Sequence, residues 1–90
     1  MEKSNKLIAE FMGLDTEVFK SGKVNYYYYD KVSKQEIFLE AHELSYNVSW
    51  DWLMPVIKKC KSLDNTFDVE YEVVNEDYHA VVQFIKDQND

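Results

Sequence analysis

The chain has one cysteine, one proline and two glycines in 90 residues. A lone cysteine excludes an internal disulfide, and no cysteine–histidine spacing matches a zinc site, so neither a metal nor a cofactor is expected. With so little Gly and Pro the composition is that of a folded domain, not of a low-complexity chain. No apolar run approaches the ~20 residues that a membrane helix needs. The opening "MEKSNKLIAEFMG" lacks the apolar core and small-residue cleavage site of a secretory signal. The expectation is a cytoplasmic, reduced protein without a membrane partner. Cations are also scarce: 10 stand against 17 acids, for a net charge of −7. That balance repels phosphate backbones, disfavours direct nucleic-acid binding, and leaves room for a basic protein partner.

What the chain does have is apolar and aromatic mass, at 46% hydrophobic and 16% aromatic residues. This length suits one domain, residues 1–90, burying somewhat over ~60% of its unfolded surface. "SNKLIAEFMG" reads as a short helix, capped by Ser4 or Asn5, with Gly13 just past its end. "LDTEVFKSG" reads as a connector with one helical turn. "KVNYYYY" reads as a strand, turning around Asp30 to Lys34 into a second strand at Glu36 to Leu39. "LSYNV" alternates Leu44, Tyr46 and Val48 as another short strand would. "TFDVEYEVV" alternates most cleanly, with Phe67, Val69, Tyr71 and Val73 opposite Asp68, Glu70 and Glu72. "NEDYHAVVQFIKDQ" spaces Tyr78, Val81, Val82 and Ile85 as a helix, with Asn75 or Asp77 as its cap.

Both tryptophans and the proline lie in "NVSWDWLMPVIKKC". On a helix over residues 50–63, Leu53, Val56, Ile57, Cys60 and Leu63 form one stripe. Trp50 and Trp52 flank it, each roughly 80° from its centre. So wide a stripe suits a central helix, against a sheet and beside another helix. Ser49 can cap it, in which case Pro55 removes a bond to Asp51 and kinks the helix. Alternatively Asp51 is the cap, and Trp50 packs on Pro55 like a staple.

"NKLIAEFMG", "SWDWLMPVI" and "AVVQFIK", in that order, resemble the phage ABA sandwich family of small phage-encoded domains. The likeness covers the three helices; the strands between them match less closely. The family pattern carries more strand after the central helix and often a Trp-Tyr pair after "FIK", where this chain reads "FIKDQND". The resemblance implies helices layered on a sheet and a phage or prophage accessory role in the host cytoplasm, and it carries over no activity or catalytic residues.

Three sets of side chains could serve a site. Tyr26 and Tyr28 share one sheet face, and Tyr27 and Tyr29 the other. One pair belongs to the core, and the other lies under a helix or forms an exposed aromatic platform. Trp50 could anchor a partner. Asp68, Glu70 and Glu72, ~6.6–7 Å apart on a strand, would form either a solvated face or an acidic strip. His42 and His79 lack a nucleophile in sequence, and an enzyme at His42 would need a cleft gathering it with carboxylates. The expected fold is α+β, with about three helices on a three- to four-stranded, mainly antiparallel sheet and α/β/α layering as its variant. The expected function is non-catalytic protein binding, directed at a host or defence factor. The alternatives are an acidic mimic of nucleic acid that inhibits a host enzyme, and a structural homo-oligomer.

Overall fold

The computed structural model describes residues 2–30 and 33–88. Among them the fold is α+β: three α-helices, a short 3-10 helix and a three-stranded antiparallel sheet. The backbone gathers into two compact units, Met1–Leu44 and Ser45–Asp90.

In the first unit, helix α1 (Glu2–Phe11) leads into β1 (Thr16–Val18), β2 (Val24–Asp30) and β3 (Gln35–Leu39), then a 3-10 helix, Ala41–Glu43. α1 ends as its sequence predicts. Gly13 takes φ +71; its N–H reaches Glu10 O at 3.1 Å, and Leu14 N–H reaches Ala9 O at 3.0 Å. That pair of bonds closes a left-handed helix end that a side chain at Gly13 would strain. The helix starts earlier than expected, so Asn5 lies within it rather than capping it. Asn5 is 1% exposed and donates to Ala41 O at 2.9 Å and Leu44 O at 3.0 Å. It ties α1 to both ends of the 3-10 helix.

The connector expected at "LDTEVFKSG" is instead β1 and a hairpin. Gly22 takes φ +87, and Phe19 N–H donates to Lys23 O at 2.8 Å, which sets Thr16 opposite Tyr26 and Val18 opposite Val24. β2 pairs with β3 in a register that joins Tyr26 to Leu39, Tyr27 to Phe38 and Tyr29 to Glu36. Lys31 and Val32 of the expected turn lie outside the described residues; Lys34 N–H donates to Asp30 O at 2.7 Å.

The second unit holds α2 (Trp50–Leu63) and α3 (Val74–Gln88), which pack on each other. Leu53, Val56, Ile57 and Cys60 are buried as the stripe requires, but Leu63 is 57% exposed. Ser49 occupies the N-cap position with extended backbone, and its side chain makes no capping bond. Its carbonyl receives Trp52 and Leu53 N–H at 3.2 and 3.1 Å. Pro55 therefore lies inside the helix, where it leaves the Asp51 carbonyl without its usual helical donor. The tryptophans do flank the stripe: Trp52 meets Tyr46 edge-on at 5.3 Å and Trp50 lies 6.3 Å from Tyr71.

Two expected strands are absent from the described residues. Ser45 to Val48 turn back on themselves, with Val48 and Ser49 N–H both directed to Ser45 O. "TFDVEYEVV" runs as irregular chain up to α3. Nearby carboxylates take the backbone donors that a strand would give to a neighbour. Asp64 Oδ1 accepts Thr66 N–H at 2.9 Å, Asp68 Oδ1 accepts Val69 N–H at 2.9 Å, and Asp77 Oδ2 accepts Tyr71 N–H at 2.9 Å. Tyr71 takes φ +62, which breaks the alternation there. Asp77 lies inside α3, 4% exposed, rather than capping it.

Cys60 is fully buried, and burial pushes its thiol up from 9.0 to about 11. The folded thiol stays neutral where an unfolded one ionises, so this contribution is intact below pH 9.0 and is lost as pH rises to about 11. Stability measured by urea denaturation across that range should fall more steeply in the wild type than in Cys60→Ala. Equal slopes would contradict this placement of the thiol.

Candidate functional site

Strand alternation and register place Glu17, Asn25, Tyr27, Tyr29, Glu36 and Phe38 on one face of the sheet. Asn25 is buried and Tyr27 half-buried, and the rest of this face is open: Tyr29 is 53% and Phe38 50% exposed. Tyr27 and Phe38 are cross-strand neighbours with ring centroids 4.4 Å apart at 60°. The Tyr27 hydroxyl donates to Glu17 Oε2 at 2.6 Å. That hydrogen bond, partial burial and the charges of Glu17, Glu36 and Asp15 raise the Tyr27 pKa above the usual 10.0. The same carboxylates give the aromatic cluster a negative border. Phe19, just past β1, is 43% exposed.

The opposite face is the more buried one. Tyr26 is 2% exposed and Tyr28 half-buried. Tyr26 is buried and Tyr29 exposed, as parity predicts, whereas Tyr27 and Tyr28 are both half-buried. Phe38, Glu17 and Glu36 were not singled out in the sequence, because only the strand register brings them to Tyr27 and Tyr29.

The other expected candidates lie in the second unit, where Tyr71 and Lys61 link Trp50 to Asp68. Trp50 is half-buried beside Tyr71. Asp68 pairs with Lys61 at 3.1 Å; that bond, with the Val69 N–H, holds its carboxyl below the usual carboxylate range. Lys61 also lies 5.1 Å from the centre of the Tyr71 ring. Glu70 and Glu72 are exposed on irregular chain. The three acids do not form the straight strip that a strand would have made.

His42 does meet carboxylates in a cleft. A cavity of about 270 Å³ is lined by Glu2, Lys6, Lys23, Tyr26, Glu40 and His42, among others. His42 Nε2 stands 3.8 Å from Glu40 Oε2, and Lys23 Nζ 3.9 Å from Glu40 Oε1. A hydrophobic or polar guest of a few atoms would fit, but the lining is poor in nucleophiles. Among its described residues only Tyr26 offers a hydroxyl, and burial with the Glu10 charge raises that pKa above 10.0. No described helix is long and apolar enough to cross a membrane.

The chain matches no protein-family model, no curated protein and no solved structure.

Proposed function

We propose that this protein works by binding another protein, without catalysis, through the Tyr27–Tyr29–Phe38 face of its sheet. The observation that carries the reading is the exposure of Tyr29 and Phe38 on paired strands, at 53% and 50%. Clustered aromatics are costly to leave in water and are the side chains that dominate binding energy at interfaces. Glu17 and Glu36 border them, so the partner presents cationic side chains, which aromatic faces and carboxylates hold together. The resemblance of the three helices to the phage ABA sandwich family supports a phage or prophage accessory role, with a host or defence factor as the partner.

The test is capture from host lysate on immobilised protein, comparing the wild type with a variant carrying Tyr29→Ser and Phe38→Ser. A partner held by the wild type and lost by the variant is the expected result. A partner held equally by both would overturn the reading. If that partner left at moderate salt, and left sooner after neutralisation of Asp68, Glu70 and Glu72, it would favour the acidic-inhibitor alternative. No partner, with a mass that grows with concentration, would favour the homo-oligomer.

A further inference from the structure

We infer that Glu40, His42 and Glu43 form a binding site for a borderline divalent transition-metal ion of the Zn2+ kind. Each offers one ligand atom, and the three atoms lie within 4.8 Å of one another. The chain supplies all three from one turn. Glu40, the extended N-cap residue, and Glu43 are brought together by a reciprocal capping box. His42 completes the set from between them.

The three atoms, spread over up to 4.8 Å, reach one ion after side-chain rotation. Two ligands at about 2.1 Å from a tetrahedral ion lie about 3.4 Å apart, and His42 Nε2 stands 3.8 Å from Glu40 Oε2. Rotation within a rotamer well closes the difference. Each carboxylate also has one oxygen already anchored by the protein, as metal ligands commonly do. Glu43 Oε1 accepts the Glu40 N–H at 3.0 Å, and Glu40 Oε1 faces Lys23 Nζ at 3.9 Å. Glu43 keeps its second oxygen for an ion, whereas Glu40, whose side chain also meets the Glu43 N–H in a capping box, exchanges that contact for one. One imidazole with two carboxylates is a donor set for zinc, and the imidazole disfavours Ca2+ and Mg2+, which take oxygen ligands. Glu40 and His42 also line the first unit's cavity with Lys6 and Lys23, so water or an anionic group held there could complete the coordination.

Titration of the full chain with Zn2+, followed by calorimetry, tests the site. One-to-one binding is expected, weakened at least tenfold by His42→Ala, weakened several-fold by Glu43→Gln, and unchanged by His79→Ala. His42 side-chain exposure of 62% makes its variant safe for the fold. Ni2+ in place of Zn2+ should broaden amide resonances around residues 40–43 first. No saturable Zn2+ binding would overturn the assignment. So would full affinity in His42→Ala, broadening centred elsewhere, or displacement of Zn2+ by an equal concentration of Ca2+.

Discussion

Replacing Asn5 with alanine should cost about 2–4 kcal/mol of folding stability, the largest loss expected from one polar side chain in this protein. Asn5 is 1% exposed, and its amide donates to Ala41 O and Leu44 O. The Leu44 carbonyl, deprived of its donor in a buried place, costs about 1–3 kcal/mol, while Ala41 O loses one of two donors and keeps the Leu44 N–H at 3.3 Å. The vacated volume adds a smaller packing term. In a domain whose total stability is on the order of 5–15 kcal/mol, that loss is a large share. Asn5→Leu separates the two contributions, since it nearly restores the volume and still removes both bonds. Urea denaturation should therefore rank wild type above Asn5→Leu, with Asn5→Leu also well below the range of ordinary surface substitutions. A change under about 0.5 kcal/mol for both variants would show that α1 is not held to the 3-10 helix in this way.

The second large effect falls on binding. Once a partner is isolated, Tyr29→Ala with Phe38→Ala should weaken it by about a hundredfold or more, which corresponds to roughly 2.7 kcal/mol or more. Aromatic side chains at the centre of an interface each contribute about that order when they become fully desolvated. The same two substitutions should move folding stability little, because both rings are half-exposed in the free protein and leave no cavity behind. Glu17→Gln and Glu36→Gln should act differently: they lower the association rate and flatten its salt dependence, as charges at an interface rim do. A double aromatic variant that bound normally would leave this face without a function. One that bound poorly but had also lost much stability would locate the aromatics in the fold instead.

Much of the fold was legible because two periodicities are local. Ile8 and Gly13 mark α1 and its end, Leu53 to Cys60 mark α2, and Tyr78 to Ile85 mark α3. The tyrosine run and Ile37–Leu39 were readable as a hairpin for the same reason. Alternation failed where pairing, which is not local, decides. Residues 66–73 alternate as well as any strand does, yet Asp64, Asp68 and Asp77 bind their backbone donors and Tyr71 turns left-handed. Thr16–Val18 alternate over too few residues to stand out, yet they pair because the Gly22 turn returns the chain beside them. The candidate site divides in the same way. Parity alone separated Tyr27 and Tyr29 from Tyr26 and Tyr28, whereas Phe38 and Glu36 needed the register. Glu40, His42 and Glu43 look like an ordinary charged stretch until the capping box of the 3-10 turn gathers them.

The central claim is that the open aromatic face of the sheet is the binding surface. Amide chemical-shift mapping of the full chain against its captured partner tests it most directly. The account expects the largest changes at Glu17, Tyr27, Tyr29, Glu36 and Phe38, with residues 64–73 near their free positions. Changes centred on Asp68 to Glu72 and Trp50, with the sheet face untouched, would contradict it.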